Sequence, residues 1–279
     1  MKERTTRIFL RMLPKRSLTG TVGWLSDRRP PRRVLHSTIR FFVRRYGVEI
    51  DEAAEPPEAF DSFDAFFTRA LKPGARPIDA APEAIVSPCD GTWAESGPLE
   101  ALQLTQIKGK RYSAARLLGD ERLAEAFDGG RFATVYLAPR DYHRVHFPVD
   151  GAIAGYRYIP GALYPVNPPA VRSIPNLFSR NERLVVRLTT SSGLVVVVMV
   201  GATCVARISA SFERERGPFR HGRSAEASYD PPLAVRRGDE LGMFHMGSTV
   251  VLLFPPGKME FENVTPGAAV RMGERIGRW

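Results

Sequence analysis

The sequence predicts an α+β fold: a β-rich domain with N-terminal amphipathic helices, divided at residues 1–83 and 84–279. Three observations point there. Residues 34–46 repeat apolar side chains at helical spacing. From about residue 84 onward, short β-branched runs alternate with Gly, Pro and Ser. Twenty-four Gly and 23 Pro in 279 residues imply many turns, which favours short strands over long helices.

In chain order, a first short helix is expected around Ile8, Phe9, Met12 and Leu13, stopped before Pro14. A second is carried by Val34, Leu35, Thr38, Ile39, Phe42, Val43 and Tyr46 on one face, with His36, Arg40 and Arg44 on another and Phe41 off the pattern. Both are basic amphipathic helices, the kind that lies in a membrane interface or docks on a core with a solvated Arg face. Residues 51–85 turn acidic and then Pro-rich, a connecting segment with one helix over Phe60 to Ala70. Strands are expected at 134–138, 184–188, 194–200, 205–208 and 249–254, with 184–200 forming a hairpin through Thr189–Gly193, and a helix at 114–127. No internal repeat or low-complexity tract is present.

The net charge of +10 is unevenly placed. Residues 1–46 hold thirteen Lys or Arg against Glu3 and Asp27, a net of +11, so the remaining 233 residues sum to −1. An acidic partner, anionic lipid or nucleic acid, would therefore meet the N-terminal segment. The basic stretch carries apolar helical faces rather than stacking aromatics between charges, which argues against nucleic acid. Cys89 and Cys204 form neither a metal spacing nor a disulfide framework, so a reducing compartment is expected. Basic residues interrupt any secretory h-region. The best apolar run, residues 194–200, is far short of the roughly 20 residues a membrane span needs.

Three stretches carry candidate chemistry. Ser87-Pro88-Cys89-Asp90-Gly91 is a turn presenting a carboxylate, residues 139–146 place His143 and His146 three apart, and Gly247-Ser248 precedes a β run. Each alone has a plain reading as a turn, a satisfied histidine or a strand entry. No Cys or third His stands at a spacing that would complete a zinc site, so no metal is expected. Asp, His and Ser together permit a membrane-associated Ser-His-Asp hydrolase, although no Gly-x-Ser-x-Gly elbow surrounds Ser248.

Taken in order, these stretches are more specific. The chain resembles the phosphatidylserine decarboxylase family through Ser-Pro-Cys-Asp-Gly (87–91), Gln-Ile-Lys-Gly (106–109), Tyr-Leu-Ala-Pro-Arg-Asp-Tyr-His-Arg-Val-His (136–146) and Ile-Pro-Asn-Leu-Phe-Ser-Arg-Asn-Glu-Arg (174–183). Residues 200–206 and 238–251, with Leu-Pro-Lys (13–15) and Arg-Pro-Ile-Asp (76–79), extend the resemblance along essentially the whole chain. Departures are Met246 for the usual Leu, His245 where Lys is common, and Cys89 where a small or aliphatic residue is more usual.

The resemblance implies a catalytic β-rich domain that cuts itself between Gly247 and Ser248, leaving Ser248 as a pyruvoyl group that serves as cofactor. His146 resembles the maturation base, Asp90 the carboxylate that holds its tautomer, and His143 the histidine of the decarboxylation step. Gly247 suits the cut because it has no Cβ and tolerates a strained turn. The expected reaction converts phosphatidylserine to phosphatidylethanolamine and CO2. The expected partners are phosphatidylserine and an anionic membrane surface, with no nucleic acid. The two cleavage chains would form a heterodimer, with a homodimer of these in addition. The expected place is the cytoplasmic side of the cell membrane, bound peripherally.

Overall fold

Two helices open the described chain, α1 at Lys15–Ser26 and α2 at Arg32–Tyr46. The structure, a computed structural model, describes residues 15–107, 109–203, 207–219, 221–245, 247–257 and 259–279, with side chains from residue 19 onward. The helix expected around residues 8–13 lies outside them, as do Cys204 and Met246. Helix α2 stops because Gly47 turns left-handed at φ 70° and donates its N–H to the Val43 carbonyl. Arg44 and Arg45 in the last turn face the negative end of the helix dipole.

Leu35 and Ile39, one turn apart on α2, are buried. They join Val48, Phe60 and Phe66 in a small satellite core, with half-buried Phe42, Val43, Ile50 and Phe63 against it. Of the predicted apolar face of α2, Leu35, Ile39, Phe42 and Val43 dock, while Val34, Thr38 and Tyr46 stay exposed. Phe41, the residue off that pattern, is the most exposed large apolar side chain among the described residues, at 68%. Helix α3 covers Phe63–Phe67, shorter than the 60–70 span expected. Ser62 caps its start by accepting from Ala65 N–H. Its extension is cut off because Ala53 and Leu71 form a bridge and Ala54 donates to the Ala70 carbonyl. The helix expected over 114–127 is two helices, Ala114–Leu118 and Glu121–Glu125. Gly119 ends the first in the left-handed region, and Asp120 caps the second through Leu123 N–H.

The main body is an eight-stranded antiparallel sheet in the order 225–235, 151–159, 183–190, 193–200, 248–254, 131–137, 91–98, 269–270. The expected hairpin is present, paired from Arg183↔Val200 to Thr190↔Gly193. The strand Ser248–Phe254 sits between 193–200 and 131–137, and all seven of its residues are buried. A run of apolar residues without alternation suits a central strand covered on both faces. The strand expected at 205–208 is described only as Ile208–Ala210. The longest strand missed in the sequence, Ala225–Val235, is an edge strand whose register jumps between Ser228 and Leu233, which accommodates Pro231 and Pro232. A smaller sheet, 208–210, 240–244 and 144–146, carries His146.

Candidate active site

Two chain segments close around the candidate centre, tied together at both ends. Ser248 pairs with Leu137, and Phe244 N–H donates to the His143 carbonyl at 3.0 Å. Between those ties lie the loop leading into His143 on one side and His245 and Gly247 on the other.

Ser248 opens the central strand with no exposed surface, and its Oγ has no hydrogen-bond partner among the described residues. A buried hydroxyl left unpaired costs about 1–3 kcal/mol, so its retention calls for a reason beyond packing. Gly247 has φ +40°, in the left-handed region, while a Cβ built there would meet nothing within 4 Å. Backbone conformation, not lack of room, is what this position asks of glycine.

His143 is fully buried. Its Nδ1–H donates to the Asp141 carbonyl at 2.8 Å, which leaves the lone pair on Nε2, and that atom has no partner among the described residues. Phe67 of α3 lies against the ring, centroids 4.1 Å apart. Burial lowers the His143 pKa to about 3, against the pull of the Asp141 carbonyl, and Arg69 adds to the lowering. The ring is therefore neutral at neutral pH. The resting protein offers a proton acceptor here.

His146 likewise has its pKa lowered by burial, against the pull of the Gly238 carbonyl. Its Nδ1–H donates to the Gly238 carbonyl at 2.8 Å, and Nε2 accepts from Tyr142 Oη at 3.2 Å. The Tyr142 hydroxyl, pushed up to about 12 by burial, remains protonated to donate.

Asp90 has a different partner from the one expected. Arg76 Nε contacts both carboxylate oxygens, at 2.9 and 3.1 Å, and Nη2 reaches Oδ2 at 2.6 Å. Met272 N–H adds a bond to Oδ1 at 2.9 Å. Nothing joins Asp90 to His146 by a hydrogen bond, because the fork of Arg76 and the Met272 amide take up the carboxylate. Arg76 and Asp90 line a cavity of about 270 Å³ together with Arg69, Arg140, Asp141 and Tyr142. Gly91 is fixed by space: a Cβ would stand 2.5 Å from the Tyr136 carbonyl oxygen.

The four predicted residues thus divide. Ser248 and His143 are each fully buried and each carries an atom with no hydrogen-bond partner among the described residues, whereas His146 and Asp90 are engaged by Tyr142, Gly238, Arg76 and Met272. Sequence reasoning missed Arg76, Phe67 and Tyr142 as parts of the site. Arg76 and Tyr142 stood inside quoted motifs, so the signal was present without its geometry. Phe67 came from the stretch read as a connecting segment.

Known proteins resemble this chain along its length. A family model described as phosphatidylserine decarboxylase matches residues 63–278. A phosphatidylserine decarboxylase proenzyme of Anaeromyxobacter sp. (strain K) is 46% identical over 99% of each chain. The protein of the same name from Myxococcus xanthus (strain DK1622) is 42% identical over 99% of each. That from Acidovorax ebreus (strain TPSY) is 45% identical over 95% of this chain and 94% of its own.

Proposed function

The chain belongs to the phosphatidylserine decarboxylase family, and on that premise we propose that it is a self-processing, pyruvoyl-dependent enzyme converting phosphatidylserine to phosphatidylethanolamine and CO2. The observation that carries this reading is a buried Ser248 Oγ with no hydrogen-bond partner among the described residues, directly after a left-handed Gly247.

In maturation, Ser248 Oγ gives up its proton to a base and attacks the Gly247 carbonyl, and the peptide nitrogen leaves as the amine of an ester. β-Elimination then breaks the Cβ–O bond, releasing chain 1–247 as a carboxylate and leaving dehydroalanine at 248. Water replaces its nitrogen, ammonia departs, and a pyruvoyl group remains, with no net oxidation. That group supplies an electron sink for the electrons left on the substrate Cα when CO2 departs. The site fits it: Ser248 heads a central strand in a water-poor environment with no competing hydrogen bond on its side chain.

The residue roles follow the resemblance: Asp90 and His146 in maturation, His143 in decarboxylation. One observation favours a second reading for the base. His146 Nε2 already accepts from Tyr142, whereas His143 Nε2 accepts from nothing. Under that reading His143 takes the Ser248 proton as well. A Ser-His-Asp hydrolase finds less support, since both histidines direct Nδ1 to backbone carbonyls rather than to a carboxylate.

The membrane reading rests on surface chemistry. Trp24, Leu25, Val34, Phe41 and Tyr46 are exposed at 42–68%, five of the six exposed large apolar residues described. Arg28, Arg29, Arg32, Arg33, Arg40, Arg44 and Arg45 intersperse with them, a combination suited to an anionic interface. Among the described residues no helix is long and apolar enough to cross a membrane. Peripheral attachment at the cytoplasmic side of the cell membrane is the proposed location. The chain 248–279 would supply the central strand, so the two products would stay together as a heterodimer, and a homodimer of these is the proposed assembly.

The activity is tested with vesicles of phosphatidylserine labelled at the serine carboxyl. Labelled CO2 is expected from the wild type and none from Ser248→Ala. Undiminished release from Ser248→Ala would overturn the proposal.

A further inference from the structure

Helix α3 is five residues long, yet it touches the chain on both sides of the proposed reaction centre. Asp64 and Phe67 are three apart and so share a face. Phe67 packs on His143. Asp64 accepts from His245 Nδ1–H with both carboxylate oxygens at 2.9 Å. His245 Nε2 is hydrogen-bonded with Ser209 Oγ at 2.7 Å. Both nitrogens of a ring that is only 8% exposed are thereby fixed, two residues before Gly247. The His245 backbone N–H is held as well, donating to the Arg207 carbonyl at 3.0 Å. Arg207 in turn forks onto Asp27, the residue after α1, and lies 3.6 Å from Asp64. The other face of α3 carries Phe63 and Phe66 into the satellite core against Phe42 of α2.

Gly247 itself cannot hold the cleavage segment still. It has no side chain, and a Cβ at that position would touch nothing. Attack on its carbonyl nevertheless needs the reacting atoms held near contact distance and aligned. The nearest described side chain upstream that is fixed at both ends is His245. We propose that Asp64 is a positioning residue for self-cleavage, acting through His245 to hold residues 245–248 so that the Gly247 carbonyl faces Ser248 Oγ. This rests on the self-processing reading above. It assigns a task to α3, which connects the N-terminal helices to the cut, and to His245.

The test is a double-mutant cycle on the first-order cleavage rate, with full-length chain pulse-labelled in cell-free translation and chased on denaturing gels. Asp64→Asn and His245→Gln are each expected to slow cleavage about tenfold, roughly 1.4 kcal/mol of barrier. The double variant should be no slower than either single one, because both remove the same constraint. Asp64→Glu should recover part of the rate. Thermal midpoints of the same variants in the uncut Ser248→Ala chain separate positioning from unfolding, since positioning predicts little change there. Wild-type speed in Asp64→Asn, or single effects that multiply in the double variant, would overturn the role of Asp64 alone. Failure of the wild type to cut at all would instead overturn the self-processing reading.

Discussion

Arg76 grips Asp90 through Nε and Nη2, and the same Nη2 also reaches Glu52 at 2.7 Å. The Arg76 and Asp90 side chains are only 5% and 10% exposed. Removing one partner of such a pair leaves the other charge buried, at a cost of about 3 kcal/mol or more. Arg76→Gln should therefore lower the urea-unfolding free energy of the uncut Ser248→Ala chain by about that amount. Arg76→Lys should recover only part, since an ammonium cannot make the fork. A loss below about 1 kcal/mol in Arg76→Gln would show that solvent already screens the pair.

The histidines give a pH dependence with a defined sign. His143 is depressed to about 3 in the folded chain, from the 6.5 it has when unfolded, and His146 shifts the same way. Between those values the unfolded state binds protons that the folded state does not. The contribution of His143 to stability is complete above pH 6.5 and is lost as pH falls toward 3, and that of His146 is likewise lost as pH falls below 6.5. The thermal midpoint of the Ser248→Ala chain should fall across that window, and His143→Asn should flatten part of the slope. An identical slope in His143→Asn would show that this ring is not what titrates.

Single substitutions distinguish the two base assignments. Under the family-derived roles, His146→Ala and Asp90→Ala accumulate uncut chain, while His143→Ala still cuts but releases little CO2. Uncut chain in His143→Ala with normal cutting in His146→Ala would assign the cleavage proton to His143. Gel analysis beside the CO2 assay reads both.

Membrane binding should respond to different residues than helical periodicity suggests. Phe42 and Val43 are docked, so their replacement tests folding, whereas Trp24, Leu25 and Phe41 face outward. Trp24→Ser with Phe41→Ser should weaken co-sedimentation with anionic vesicles at low and high salt alike. Arg40, Arg44 and Arg45 to Gln should weaken it by about 3 kcal/mol at most, and only at low salt. Unchanged binding in both sets would mean that these helices serve as structure rather than attachment.

Local pattern made some of this molecule legible and left other parts hidden. The strand at 248–254 and the hairpin at 183–200 announce themselves through β-branched runs, because a strand's burial is written in its own residues. The α2 periodicity was equally clear, but periodicity identifies an apolar stripe without saying what covers it. The outward role of Phe41 therefore went unread. Gly119-Asp120 carried a stop and a cap inside what looked like one helix. Asp90 and His146 were visible as residues, yet their partners come from Arg76, Met272 and Gly238, brought in by chain crossings that no spacing encodes. The same holds for Asp64 and Phe67, whose contacts with His245 and His143 bridge a connecting segment to the centre of the β-rich domain.

The self-processing proposal stands most directly on the covalent state of residue 248. Mass spectrometry of active, purified protein under denaturing conditions should find chain 1–247 with a free carboxylate, and a 32-residue chain 248–279. The second chain should begin with a pyruvoyl group in place of serine and resist Edman degradation. Active protein that retains a single intact chain with an unmodified Ser248 would contradict the mechanism at its first step.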